Sequence, residues 1–220
     1  LAVHEAALAR GRRGLTNTVP YVLADLGHIA LELGDPGRAA RHFGESHVLA
    51  RRLGGDGSAA AALGEGHLAR DRGDLRAAAR HYQESQRLLA AQATPEWAAA
   101  ALNGLGFTAA LRGDLDAADA HHRAARQAAA RAPGAGARAG ATALEGLAVV
   151  ACGRGDGERA AELLGTAAAW RQRRHQPALR RERRDIDRAT ALARELLDER
   201  RFHRAYARGL HTAPEVDPDT

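Results

Sequence analysis

Eleven histidines, one cysteine and a dense run of arginines are the residues of this 220-residue chain that could do chemistry. Histidine nitrogens and a thiolate hold zinc when three or four of them converge about 2 Å from one centre. His42, His81 and His121 share one slot of a repeat with a period near 40, and His28 and His67 share another. Shared slots put them on successive helices, whose axes lie about 8–10 Å apart even when packed. His121 and His122 are neighbours and point to different sides of a helix. The pattern predicts repeat ancestry and surface histidines, with no metal site. Cys152 has no identifiable base beside it, so it reads as a half-buried small residue and not a nucleophile. A Walker phosphate loop needs lysine, and all 32 basic residues here are arginine. Pro133-Gly134-Ala135-Gly136 contains Gly-x-Gly, but lacks the strand before it and the third glycine after it; it reads as a loop. No His-Glu-x-x-His, Cys-x-x-Cys or Gly-x-Ser-x-Gly occurs. No catalytic residue and no metal ligand is assigned, and the chain is read as a non-enzyme.

The arginine run is RQRRHQPALRRERR, residues 171–184. It holds Arg171, Arg173, Arg174, Arg180, Arg181, Arg183 and Arg184 against one carboxylate, Glu182. Seven positive and one negative charge make +6, within a chain of net +5, so the remainder is slightly acidic. Three readings stay open: a solvated loop and helix start, a contact with an acidic protein surface or sister domain, or a contact with nucleic-acid phosphate. Trp170 is the one aromatic beside it, which gives no stacking platform. Direct nucleic-acid contact is the least supported of the three.

Hydrophobic residues make up 45% and charged residues 27%, which excludes a chain too polar to build a core. No apolar run approaches the roughly 18 residues of a membrane span, and no signal segment opens the chain. A single cysteine excludes an internal disulfide framework and suits a reducing cytoplasm, which is the expected location. Alanine, glycine and arginine abound while methionine and lysine are absent, a bias expected of a high-GC genome such as an actinobacterial one. The start at Leu1 predicts a fragment of a longer chain, or a processed product.

The elements that would position these residues come from the repeat. Gly-Asp recurs at Gly34-Asp35, Gly73-Asp74, Gly113-Asp114 and Gly155-Asp156, with spacings of 39, 40 and 42 residues. Counted from the glycine, other slots agree. Four before stand Ala30, Ala69, Ala109 and Ala151; seven before stand Gly27, Gly66, Gly106 and Ala148. Five after stand Ala39, Ala78, Ala118 and Ala160; nine after stand Phe43, Tyr82, His122 and Leu164; twelve after stand Ser46, Ser85, Ala125 and Ala167. A fixed period near 40 marks stacked repeats. Glycine closes a helix in the left-handed conformation, and aspartate caps the next one. Each unit is therefore an αα-hairpin in which small residues bring two helices close and the larger residue fills the space beyond. First helices are predicted at 18–33, 57–72, 95–112 and 138–153, second helices at 36–52, 75–91, 115–131 and 157–174. Residues 1–14 read as the end of a truncated preceding repeat, 15–176 as the array, 177–210 as capping helices and 211–220 as a disordered tail.

These slots resemble the tetratricopeptide repeat across roughly 18–174, although the period is near 40 instead of about 34 and the usual first-helix aromatic is alanine. An unrelated α-solenoid packed by the same rule is the alternative. The fold class expected is all-α, with about four hairpins plus a C-terminal cap, and the resemblance implies a right-handed solenoid. The end of the chain is similar to actinobacterial transcription regulators of the LuxR-type large ATP-binding and SARP classes. The matching pieces are Arg159-Ala160-Ala161-Glu162-Leu163-Leu164-Gly165 and Phe202-His203-Arg204-Ala205-Tyr206-Ala207-Arg208-Gly209. That resemblance implies ATP in an upstream domain and a DNA-binding domain, neither within these residues, and no cofactor in this part. The tetratricopeptide likeness implies a groove on the first helices for a protein or peptide ligand, or for sister domains. Its slots hold Tyr21, His28, His67, Arg70, Asn103, Phe107 and Glu145. The alternative is that they face solvent or a neighbouring domain. The function expected is a non-catalytic sensing or autoregulatory arm, with a stand-alone adaptor scaffold as the alternative.

Overall fold

A computed structural model gives the fold and describes residues 18–53, 58–89, 94–132, 134 and 136–212. Among them are ten α-helices and no strand. They are α1 (Val19–Glu32), α2 (Pro36–Arg52), α3 (Ala59–Asp71), α4 (Leu75–Leu89), α5 (Pro95–Leu111), α6 (Leu115–Ala130), α7 (Ala137–Gly153), α8 (Gly157–Arg173), α9 (Arg180–Leu196) and α10 (Glu199–His211). The proposed truncated repeat at 1–14 and all but the first two residues of the proposed tail lie outside the described residues.

All four Gly-Asp turns have the same construction. The glycines take φ of 78°, 77°, 82° and 79° at Gly34, Gly73, Gly113 and Gly155, a region that side-chain-bearing residues rarely adopt. The amide of each following aspartate then reaches back to the alanine four before the glycine: Asp35 to Ala30, Asp74 to Ala69, Asp114 to Ala109 and Asp156 to Ala151, at 2.9–3.0 Å. This is the Schellman closure, and it satisfies a carbonyl that the helix end would otherwise leave open. Each aspartate carboxylate also accepts the amide three residues on, at Arg38, Ala77, Ala117 and Arg159, over 2.8–3.0 Å. One residue pair thus ends a helix and begins its partner.

Thr94 precedes α5 without capping it. Pro95 takes the first helical position of α5, but the Thr94 hydroxyl makes no capping hydrogen bond. Proline favours that helix start through its fixed φ, and Glu96 stands in its first turn.

The chain divides into two compact units, Leu1–Ala93 and Thr94–Thr220. In the first, α2 packs on α1 and on α3, α3 lies beside α1, and α4 packs on α3. The Phe43 ring on α2 fills the space between α1 and α3, where a Cβ on either Gly27 or Gly64 would overlap it. Ser46 donates to the Pro20 carbonyl at 2.7 Å, and Ser85 repeats the bond to the Ala59 carbonyl at 2.9 Å. Each serine ties the second helix of its hairpin to the start of the first.

In the second unit, α6 packs on α5 and α7, α5 lies beside α7, and α8 packs on α7. His122 takes the place that Phe43 has in the first unit, against Gly106 and Gly146. The last two helices do not form another tight hairpin. α9 lies along α7 and α8, while α10 packs chiefly on α8. There Gly165 meets the Tyr206 carbonyl and Gly209 meets the Glu162 carbonyl, so the two backbones touch. Phe202 and Ala205 of α10 join the core formed by Leu144, Leu147, Leu163 and Leu164. Burying Phe202 stabilises this closure by roughly 1.5–3 kcal/mol.

Candidate functional site

The predicted groove residues differ in exposure. Tyr21 on α1 is 56% exposed. His28 and His67 are half-buried and bonded within the first unit. His28 bonds through Nε2 to the Ala60 carbonyl at 3.0 Å, and its ring meets Phe43 edge-on at 5.1 Å. His67 Nδ1 lies 2.9 Å from the Tyr82 hydroxyl, with the two rings edge-on at 5.5 Å. Arg70 is also half-buried. The slot six before the turn glycine therefore braces its own hairpin's larger residue.

In the second unit the predicted residues face inward. Asn103, Phe107 and Glu145 are buried. Asn103 Nδ2 donates to the Ala139 carbonyl at 2.8 Å, so its Oδ1 faces His122 Nδ1 at 3.1 Å as the acceptor. That fixes the proton of His122 on Nδ1. Phe107 stands edge-on to the same imidazole at 4.8 Å. None of these three presents a polar group to a ligand in the manner a groove would need.

A shallow open cleft remains on this face. Phe107, Ala110 and Leu111 of α5, Val149 of α7, and Asp185 and Arg188 of α9 line it. Its floor is apolar and α9 supplies charges of both signs.

The arginine run also divides. Arg173, Arg174, Arg180, Arg183 and Arg184 are exposed and Arg181 is half-buried. Arg171 is not part of that surface: it is 8% exposed and held among carboxylates. Its Nε and Nη2 donate to the two oxygens of Glu145 at 2.7 and 2.9 Å. Nη1 lies 3.2 Å from Glu182 Oε2, and Nη2 also donates to Thr142 Oγ1 at 3.2 Å. Arg138 Nη1 reaches the same Glu182 oxygen at 3.0 Å. Glu145 is 2% exposed and Glu182 7% exposed, so two carboxylates and one guanidinium are almost wholly withdrawn from water. Arg171 turns inward because its planar fork fits both oxygens of Glu145 on the facing helix.

Burial pushes the Glu145 carboxyl up to about 7, and the Arg171 hydrogen bond and charge pull against it. Desolvation works against the Arg171 charge, but Glu145 and Glu182 outweigh it and hold its pKa above the ordinary arginine value. Glu182 completes the group by accepting the Leu179 amide at 2.8 Å, which caps the start of α9. The network therefore joins α7, α8 and α9.

Sequence reading did not single out Glu182 or Arg138. A signal for Glu182 existed: a lone glutamate in the first turn of a helix that comes after a proline-bearing loop reaches back to open amides. Arg138 carried no signal, since arginine is everywhere in this chain.

Cys152 is buried and donates to the Ala189 carbonyl at 3.6 Å. Burial pushes its thiol up to about 11, so it is not a thiolate at neutral pH. Burial also lowers the His121 pKa, with Asp114 opposing. Among the described residues no group of three or more His, Cys, Asp or Glu side chains could hold a metal ion, and no helix is long and apolar enough to cross a membrane. Comparison with protein-family models, curated proteins and solved structures found no match.

Proposed function

We propose that these residues form a tetratricopeptide-like array that serves as the non-catalytic, protein- or peptide-binding arm of a multidomain transcription regulator of the LuxR-type large ATP-binding or SARP class. One observation carries the reading. The four Gly-Asp turns close their hairpins by the same two hydrogen bonds in the same register. Tandem hairpins of one construction are the building plan of repeat arrays, which are used for holding extended partners. In the second unit that face offers the open apolar cleft with Asp185 and Arg188 at its edge. An apolar side chain of a peptide laid across it would meet an apolar floor, and the two charges would set orientation. On this reading ATP acts in an upstream domain, the protein is cytoplasmic and of actinobacterial type, and the array couples partner recognition to that ATPase and to a DNA-binding domain.

The mass and sequence of the native full-length chain test the proposal. An upstream extension of several hundred residues with a Gly-Lys-Ser/Thr phosphate loop and a helix-turn-helix is the expected result. A native chain beginning within one repeat of Leu1 overturns the regulator reading and leaves a stand-alone adaptor scaffold. Partner binding then divides further: Arg188→Glu is expected to weaken a partner seated in the cleft, and unchanged affinity would place the partner elsewhere.

A further inference from the structure

One imidazole joins the first hairpin to the second. His47, in the second half of α2, is half-buried and meets two groups of the next hairpin. Its Nδ1 accepts the Ser58 amide at 3.2 Å, and its Nε2 lies 3.1 Å from Glu65 Oε2 on α3. Ser58 is the cap of α3: its Oγ accepts the Ala61 amide at 3.2 Å, and the residue is 4% exposed. A backbone amide can only donate, so Nδ1 carries no proton and the ring proton sits on Nε2, facing the carboxylate. In its neutral form His47 thus ties α2 both to the cap of α3 and to its middle.

A second proton suits one of these ties and opposes the other. It must go on Nδ1, where it confronts the Ser58 N–H, donor against donor. At Nε2 the imidazolium gains a charge-assisted bond to Glu65. Glu65 therefore keeps the ring, and the Ser58 amide loses its acceptor in a buried setting, which favours movement of that residue toward water. The other groups around the ring come from several elements. His81 Nδ1 of α4 lies 3.2 Å from the same Glu65 oxygen. Glu84 of α4 is bonded to Arg87 at 2.8 Å, and that bond first, then the weaker attraction of His47 and Arg51, holds its carboxyl below the ordinary range. On the α1 side the neighbouring Ser46 faces a backbone carbonyl, that of Pro20. Two carboxylates thus stand against two guanidiniums, Arg51 and Arg87, while His47 is neutral.

We propose that His47 is a proton-sensitive joint between the first two hairpins: a proton on Nδ1 breaks the tie to Ser58 and loosens the start of α3, while Glu65 retains the ring. The inference does not rest on the regulator reading, because every group in it belongs to the unit Leu1–Ala93.

Nitrogen NMR and residue-resolved amide exchange on the 220-residue chain test it. At about pH 7.5 His47 is expected to carry its proton on Nε2 with Nδ1 bare. Protection of the Ser58 amide, corrected for the intrinsic pH dependence of exchange, is expected to fall about tenfold or more on going to about pH 5.5. His47→Asn puts an amide oxygen near the place of Nδ1, so Ser58 should stay protected without the pH dependence. His47→Gln reaches toward Glu65 but not Ser58, so protection should be low at both pH values. A proton on Nδ1 at neutral pH overturns the proposal, and this is read on the native chain whether or not the variants fold. Ser58 protection that is the same at both pH values also overturns it. So does a pH dependence that persists in His47→Asn, which would assign it to another group.

Discussion

The α1–α2 and α7–α8 hairpins share one backbone plan and fill it with opposite chemistry. Ten residues before the turn glycine, the first has Ala24 and the second Glu145; sixteen after it, the first has Ala50 and the second Arg171. The first hairpin is held by the Phe43 ring between two glycine-bearing helices and by one serine-to-carbonyl bond. The second has Leu164 at the ring position and a bidentate ion pair in its interior. An apolar ring holds whatever helix packs on it. A buried ion pair requires its partners to be in place, and here the third partner, Glu182, belongs to the cap. The difference teaches that the fourth hairpin is tied to the next helix, α9, through charge placed in its interior.

Breaking the ion pair is expected to have the largest effect. Arg171→Ala leaves Glu145 and Glu182 buried without their shared cation, at a cost of about 3–5 kcal/mol. Urea denaturation measures it, and hydrogen exchange in α9 should rise with it. Replacing the group as E145L/R171M/E182L should recover most of that loss, since well-packed apolar side chains often match a buried ion pair. If Arg171→Ala costs no more than an exposed arginine substitution, the contrast between the hairpins fails.

The same group gives the α7–α8 hairpin a pH dependence of its own. Burial raises the folded-state pKa of Glu145 from 4.5 to about 7. Between those values the folded state holds a proton that the unfolded chain has released, so stability falls as pH rises through the window. The expected fall is at most about 3 kcal/mol, at 1.36 kcal/mol per unit. Glu145→Gln should flatten this slope in a urea series across pH 4.5–7, and an unchanged slope assigns it to other groups.

The ring site is probed from its glycine. Gly64→Ala places a methyl where Phe43 lies, and overpacking of this kind costs about 1–3 kcal/mol. Pairing it with Phe43→Leu should lower the joint cost below the sum, because the overlap is then relieved. Additive costs would mean that Phe43 does not fill the space between α1 and α3.

The two hairpins also differ in how far their contents can be read from sequence. Helix limits are legible to within about two residues, because Gly-Asp acts locally and at a fixed spacing. The larger residue nine after the glycine is legible as a filler for the same reason. Its second seat is not: Gly64 and Gly146 lie on the following helix, nine before its own turn glycine, and nothing local marks a contact between hairpins. Slots borrowed from a repeat family give positions for Asn103 and Glu145 but not their direction. That slot is buried in all four hairpins, at Ala24, Leu63, Asn103 and Glu145, and the two polar residues there find partners in the Ala139 carbonyl and in Arg171. Arg171 reads as one of a basic run, since sequence order does not reveal that Glu145 waits 26 residues earlier on the facing helix.

The turns should be indifferent to all of this. Asp74 and Asp156 accept their capping amides at 2.9 and 3.0 Å, and both are exposed, yet one opens α4 and the other opens the helix that carries Arg171. Loss of such a cap costs typically about 1 kcal/mol. Asp74→Ala and Asp156→Ala are therefore expected to cost the same, within about 0.5 kcal/mol, by urea denaturation. Equality would show that the backbone plan is independent of what fills it. A clearly larger cost at Asp156 would mean that the start of α8 and its buried arginine are coupled along the helix. The two hairpins would then differ in their frames as well as in their interiors.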